Sequence, residues 1–309
     1  MLQTIYSIYT HKYASPSMDR LYVRIILRLA NILMPVYYRI TAFLFPGFKL
    51  NVHEPGKKPG YIVSLTSFPV RIGKVWLTIE SILHQKVKPD MLILWLYRGE
   101  FDETGTLPKS LERLKKRGLQ IRFCNDNLMP HKKYYYTLLA YPKACLITID
   151  DDVLYPPDFL DRMIRYNQLY PESICCTRAR MIRMVDNQIR PYNEWVEPVT
   201  DSLPSYANLA IGAGGTLYPP DSLHTGVLDK EELIRLALET DDLWLKVMSL
   251  RNHTKVATLS GTFPRPFIPV IVRNNRSLMD KNIGKGQNDK VFQKLIDFYR
   301  IPVSIFEPH

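Results

Sequence analysis

The chain has 309 residues, 46% of them hydrophobic, with a net charge of +11 and four cysteines. It is long enough to bury a large core as one big domain or as one domain with appendages. Cys124, Cys145, Cys175 and Cys176 show no CxxC or metal-finger spacing. That argues against a disulfide framework and favours a reducing compartment.

The positive charge sits at the two ends. Residues 1–60 hold eight Lys/Arg against Asp19 and Glu54, and from Thr262 onward eight basic residues face four acidic ones. Basic ends point to anionic partners: lipid head groups, nucleotide phosphates or nucleic acid. Nucleic acid is the weakest of these, because no RRM, KH or helix-turn-helix signature is present and the basic residues interleave with aliphatics more than with aromatics.

The first residues, "MLQTIYSIYTHKYAS", lack the basic and apolar regions of a secretory signal. Leu21 to Leu50 is strongly apolar but is interrupted by Arg24, Arg28 and Arg39. Its longest apolar-dominated run, Leu29 to Tyr38, falls short of the roughly 20 residues that span a bilayer. A basic, aromatic-containing apolar helix suits a membrane interface; packing on the main domain or on a partner subunit is the alternative. The domain scheme is therefore an amphipathic segment over 1–50, a Pro/Gly/Lys linker over 51–60 and a main domain over 61–309 that ends in a basic C-terminal tail (261–309).

From Tyr61 strand and helix patterns alternate. "YIVSL", "MLILWLY", "LQIRFCN" and "CLITI" read as buried strands. "KVWLTIESILHQ" sets Val75, Ile79, Ile82 and Leu83 on one helix face. "LPKSLERLKKRG" is a helix closed by Gly118, and "HKKYYYTLLAY" is a third. Repeated β–loop–α units predict an α/β fold, a mostly parallel Rossmann-like sheet with helices on both faces. Ligands bind such sheets beyond the strands' carboxyl ends, so "TSFPVR", "NDNLMPHKK" and "DDDVLYPP" are expected to converge. Further on, "PPDFLDRMIRYNQLY" reads as an amphipathic helix starting at Pro156 or Pro157, and "SICCTRARMIR" as one strand. "YNEWVEPVTDSLPSYANL" reads as loop and "AIGAGGTLYPP" as a turn entering a strand. Asp229 and Glu232 stand in capping-box spacing, and Thr240 can cap the helix "TDDLWLKVMSLR".

Asp150, Asp151 and Asp152 crowd three like charges at a strand's mouth, which repel at close range. Carboxylates at i and i+2 can share one hard cation, Mg²⁺ or Mn²⁺, whose open positions phosphate oxygens can fill. The alternative is an acidic turn facing the positive end of the next helix, which accounts for one aspartate but not three.

"VSLTSFPVRI", "LITIDDDVLYPPDFL", "AIGAGGTLYPP" and "TDDLWLK", in this order over about Tyr61 to Leu250, resemble the motifs of GT-A fold glycosyltransferases. The chain looks most like the bacterial family-2-like enzymes of surface polysaccharide assembly, which implies a GT-A catalytic domain over 61–309 with a nucleotide-binding half (about 61–155) and an acceptor half (about 156–260). The resemblance implies metal ligation by Asp150 and Asp152, with Asp151 near the ribose or donor sugar. It implies nucleotide-sugar contacts from Thr66, Ser67, Arg71, Asp126 and Lys133, with Lys132 a weaker candidate. Gly214 and Gly215 would lie beside the donor sugar. Asp242 matches the family's catalytic position, with Asp241 replacing the usual Glu; an inverting transfer needs a base for the acceptor hydroxyl's proton. Which aspartate serves stays open, as does the last metal ligand among His224, His253, Asn288 and Asp289. Trp195 is either a sugar-stacking residue or a core one.

The expected enzyme is a Mn²⁺- or Mg²⁺-dependent glycosyltransferase. It would take a UDP- or GDP-sugar and a glycan or lipid-linked acceptor on the cytoplasmic face of an anionic membrane, with no nucleic-acid partner. The competing reading, a sugar-phosphate nucleotidyltransferase, needs a glycine-rich phosphate loop, and "SLTSFPVRIGK" has a single glycine. Neither GxGxxG after the first strand nor a Walker pattern occurs.

Overall fold

A computed structural model describes residues 4–5, 20–44, 50, 60–101, 107–199, 203–259, 267–272 and 286–307. The expected linker, apart from Gly60, and much of the C-terminal stretch lie outside them. In chain order the elements are α1 (Arg20–Leu44), β1 (Tyr61–Thr66), α2 (Pro69–Ile72), α3 (Val75–Leu83), β2 (Met91–Tyr97), α4 (Lys109–Lys115) and β3 (Leu119–Cys124). Then come α5 (Lys132–Ala140), β4 (Cys145–Thr148), β5 (Val153–Leu154), α6 (Phe159–Leu169), β6 (Ile174–Cys176), β7 (Ala179–Met181), β8 (Met184–Val185) and β9 (Gln188–Ile189). The last are β10 (Asn208–Ala210), β11 (Thr216–Tyr218), α7 (Lys230–Ala237), α8 (Asp241–Arg251), β12 (Val256–Thr258), β13 (Ile268–Pro269) and α9 (Gln287–Tyr299).

Seven strands form the main sheet in the order β12-β6-β11-β4-β1-β2-β3. β11 runs antiparallel to both neighbours, and the other pairs are parallel. The apolar runs of β1 and β2 follow from burial on both faces, because alternate strand residues point to opposite sides. Leu92, Leu94 and Leu96 pack with Val75, Ile79 and Ile82 of α3, whereas Met91, Ile93 and Trp95 pack with Ile62 and Ala144. The expected α/β architecture is therefore present.

Four local expectations shift. The helix read from Pro156 begins at Phe159. "SICCTRARMIR" breaks into β6, inside the main sheet, and β7, which pairs with β10 in a separate ribbon. Asp229 does cap α7, accepting from Glu232 N at 3.0 Å, but the Thr240 hydroxyl turns back to Ala237 O and leaves α8 without a side-chain cap. The stretch read as a basic tail contains α9, whose Val291, Phe292, Leu295 and Ile296 are buried in the same cluster as Leu233 and Trp244.

α1 packs on the α/β unit. Ile26, Ala30, Met34 and Tyr38 are buried with Leu77, Leu154, Ile268 and Val270. The Asn31 side chain acts as a strand-like clip, donating to Pro269 O and accepting from Ile271 N. Near the helix's end, His84 of the α3 C-terminus places Nε2 3.0 Å from Thr41 Oγ1, and its Nδ1 donates to Glu80 O. Burial first, then the charges of Arg117 and Lys88, pull His84 down to about 4 from 6.5. The folded ring is therefore neutral where the unfolded one takes a proton. Its contribution is complete above pH 6.5 and is lost as pH falls toward 4, roughly 3 kcal/mol in all. In urea titrations the stability difference between wild type and His84→Gln should therefore grow from pH 4 to pH 6.5; a pH-independent difference would refute this.

Candidate active site

The acidic triplet emerges from β4 beside β1, where loops at the strands' carboxyl ends meet. Asp151 is held on both oxygens: Ser67 Oγ donates to Oδ2 at 2.5 Å and Arg71 Nη1 to Oδ1 at 2.6 Å. Thr78 Oγ1 donates to its carbonyl at 3.0 Å. It is 6% exposed, and burial raises its pKa against the pull of Arg71 and Ser67. Asp151 thus ties the β4 turn to the loop after β1, each of its oxygens accepting one hydrogen bond.

Asp150 and Asp152 differ. Asp150 Oδ1 meets Lys133 Nζ at 3.1 Å and Asp152 Oδ2 meets Arg71 at 2.9 Å. Among the described residues, Asp150 Oδ2 and Asp152 Oδ1 accept no hydrogen bond. Burial and then the Asp150 charge push Asp152 up to about 7, with Arg71 opposing. This carboxylate carries more negative charge around it than its cation offsets. The Asp150 backbone is fixed by its own N–H donating to Tyr155 OH at 3.0 Å, a fully buried tyrosine packed on Phe159 and Phe267.

Lys133 joins this cluster to α8. Its Nζ lies 3.0 Å from Asp241 Oδ2, close enough for an ion pair but misaligned for a hydrogen bond. Burial alone would strip its proton; Asp150, Asp241 and Asp242 outweigh that and keep the ammonium charged. Asp241 and Asp242 occupy the first turn of α8, the electropositive end of the helix. Asp241 is held below the usual range, because Lys133 and His131 overcome its burial. Asp242 is pushed up by burial and by Asp241, and accepts from Gly212 N at 3.0 Å. Behind it lies a cavity of about 10 Å³ edged by Ala210, Tyr218, Lys246 and Ser249, room for one water at most.

The glycine turn has packing reasons for its composition. A Cβ on Gly212 would sit 3.0 Å from Asp242 Oδ1 and 3.2 Å from Lys133 Nζ. Gly215 has φ +95°, and a Cβ there would meet the Phe159 ring at 2.6 Å. Gly214 O accepts from Thr177 Oγ1 at 2.7 Å.

Five carboxylates (Asp150, Asp151, Asp152, Asp241, Asp242) thus surround two cations, Arg71 and Lys133. Among the described residues, no three His, Cys, Asp or Glu side chains form a ready metal cage. The two free carboxylate oxygens and the uncompensated charge fit a cation that keeps open positions for ligand oxygens.

Other expected residues have partners of their own. Thr66, next to Ser67 at the end of β1, donates its Oγ1 to Trp95 O within the sheet. Asp126 is half-buried just beyond the edge strand β3, paired with Lys230 at 3.2 Å. Lys132 turns to Asn127 Oδ1. Trp195 is a core residue, buried between Tyr192 and Phe292 with its Nε1 donating to Arg190 O. Asp289 accepts from Tyr192 N and His224 from Gly226 N. Tyr155 and Thr78 escaped the sequence reading: each acts on a backbone group, and no local pattern marks that. Gly212 was read only as part of the glycine turn, without its contact to Asp242.

No protein-family model matches the chain, and no curated protein does. Among solved structures, the chain is similar to the mannosyltransferase PcManGT from Pyrobaculum calidifontis in complex with GDP-Man and Mn²⁺, at 15% identity and TM-score 0.47, covering 97% of this chain and 76% of that one. It is also similar to S. aureus TarS 1-349 in complex with UDP-GlcNAc, at 10% identity and TM-score 0.47, covering 77% and 67%. For the same TarS fragment in complex with UDP the values are 12% identity, TM-score 0.43, and 65% and 58%. Likeness this distant decides neither activity nor substrate.

Proposed function

We propose that the protein is a glycosyltransferase that moves a sugar from a UDP- or GDP-sugar to a hydroxyl of a glycan or lipid-linked acceptor, with inversion, in bacterial surface polysaccharide assembly. The observation that carries this is Lys133, whose ammonium reaches both Asp150 and Asp241. Two acidic motifs far apart in sequence thereby become one site, as a donor side and an acceptor side require. Asp242 takes the acceptor proton, because its raised pKa makes it the stronger base of the α8 pair. Asp241 and Asp150 keep Lys133 charged, and Arg71 anchors the donor-side loop through Asp151. Asp150 and Asp152 would hold Mn²⁺ or Mg²⁺, which supplies positive charge for a departing nucleoside diphosphate.

Thermal-shift measurements with nucleotides test the donor side. UDP- or GDP-sugar at a hundredfold excess over its Kd should stabilise the protein by about 2.7 kcal/mol. The shift should require Mn²⁺ or Mg²⁺ and vanish in Asp152→Asn. Equal shifts in EDTA would overturn the metal assignment. Release of pyrophosphate from a nucleoside triphosphate and a sugar phosphate would favour the nucleotidyltransferase instead.

The second face of α1 supports a peripheral membrane location. Tyr22–Leu44 has a mean hydropathy of 1.2, yet only 28% of that window is buried. Ile25, Leu29, Ile32, Val36, Ile40 and Phe43 are exposed and recur at helical spacing as one apolar stripe. The exposed Arg24, Arg28 and Arg39 lie between this stripe and the buried face. An apolar stripe edged by arginines complements an anionic lipid surface. In flotation assays the protein should bind vesicles containing phosphatidylglycerol, and Ile32→Glu with Phe43→Glu should abolish binding. Unchanged flotation, or a dimer that dissociates in the double variant, would assign the stripe to a protein contact.

A further inference from the structure

β7 presents Arg180, and Arg178 just before it, on the same side, because strand residues alternate; Ala179 between them is fully buried. Both guanidinium groups share one carboxylate. Arg178 Nη2 lies 2.6 Å from Glu197 Oε1 and Arg180 Nη2 lies 2.7 Å from Glu197 Oε2. Arg180 is fixed further, donating to Tyr192 O at 3.1 Å and covering the Tyr192 ring at 4.7 Å. Arg178 has Glu197 as its side-chain partner and is 39% exposed, against 15% for Glu197. Among the described residues two cations share this one carboxylate, and Arg178 is the more accessible of the two.

This charge lies beside the acceptor-side carboxylates. Arg178 O accepts from Ile211 N at 2.9 Å, and the next residue, Gly212, donates to Asp242. The buried Tyr192 hydroxyl senses Asp242, Arg180, Glu197 and Arg178 together. The donor-side arginine, Arg71, belongs to the opposite loop and is consumed by Asp151 and Asp152. A paired-arginine fork suits the planar, bidentate recognition of phosphate oxygens.

We infer that Arg178, backed by Arg180 and released from Glu197, binds a phosphate group of the acceptor next to Asp242. The acceptor is then a phosphate-bearing substrate, either a phosphorylated glycan or a polyprenyl phosphate derivative. This rests on the glycosyl-transfer reading and names the substrate class for its acceptor side. Glu197 holds the arginine in place until a better anion arrives.

Calorimetric titration of the full chain with glucose 1-phosphate, and separately with a short polyprenyl phosphate in detergent micelles, tests it. Arg178→Met should weaken phosphate binding about tenfold or more, the loss of a charged hydrogen-bonding partner. Glu197→Gln keeps hydrogen-bonding capacity but removes the competing charge, so it should tighten binding; a purely structural role predicts weakening instead. UDP and GDP affinities should not change in either variant. A response to the polyprenyl ligand alone supports a lipid-linked acceptor, and a response to both supports recognition of the phosphate itself. Absence of phosphate binding to the wild type, indifference to Arg178→Met, or an equal loss of nucleotide affinity overturns the inference. Failure of the wild type to bind either nucleotide overturns the transferase reading instead, and the phosphate titrations are read independently of it.

Discussion

Asp242→Asn should lower sugar transfer by about 10²- to 10⁴-fold, the usual worth of a positioned general base, while the melting temperature stays near that of wild type. The amide keeps the size of the carboxylate and can still accept from Gly212 N, so the backbone contact survives. What disappears is the ability to take a proton. The choice of Asp242 over Asp241 follows from their surroundings. Asp241 pairs with the Lys133 ammonium and is stabilised as an anion against its burial, which makes it a poor base. Asp242 is desolvated and lies beside that anion, so its proton affinity rises. The sign of the pH dependence follows: transfer by wild type should fall as pH drops through this raised pKa, because the base must be unprotonated to act. Transfer rates of Asp242→Asn and Asp241→Asn, measured across pH at saturating donor, decide the matter. Full activity in Asp242→Asn would remove it from catalysis.

Arg71→Met should destabilise the fold by about 3–5 kcal/mol, the cost of leaving a buried charge without its partner, and lower the melting temperature on the order of 10 °C. Asp151 is 6% exposed and would keep only the Ser67 hydroxyl on its carboxylate. Asp152 would lose its only ion pair among the described residues. The defect has a recognisable pH signature. Without Arg71 the folded-state pKa of both carboxylates rises further, so the missing stability is regained as pH falls and they become protonated. Adding Asp151→Asn to Arg71→Met should recover part of the loss, since the double variant no longer buries an unpaired charge. Chemical denaturation of the wild type and the two variants at pH 5 and pH 8 measures this. A deficit equal at both pH values would mean that Arg71 contributes through packing alone.

Much of the architecture was legible because it depends on short-range pattern. "MLILWLY" can satisfy seven consecutive apolar residues only where both faces are covered, and β2 is such a strand. The alternation of strands with helices set the parallel order, and "CLITI" running into three aspartates placed the candidate site at a strand's carboxyl end. Asp229 caps α7 as its spacing predicts, because Glu232 N reaches Asp229 Oδ1 within one turn, but the box stays half-formed: Asp229 N donates to Gly226 O and the Glu232 side chain pairs with Arg235. The reading faltered where a chain segment serves two neighbours. "SICCTRARMIR" looks continuous, yet β6 belongs to the main sheet and β7 to the ribbon that carries Arg178.

The amino-acid order by itself determined where the acidic groups gather and that helices would cover both faces of the sheet, since composition and periodicity act over a few residues. Which aspartate is tied down, which keeps a free oxygen and which holds its proton were decided only by tertiary structure. Ser67 and Arg71 occupy Asp151 from across the sheet, and Lys133 divides Asp241 from Asp242. Charge and desolvation depend on neighbours brought in from distant parts of the chain, and three adjacent aspartates are chemically alike until those neighbours arrive.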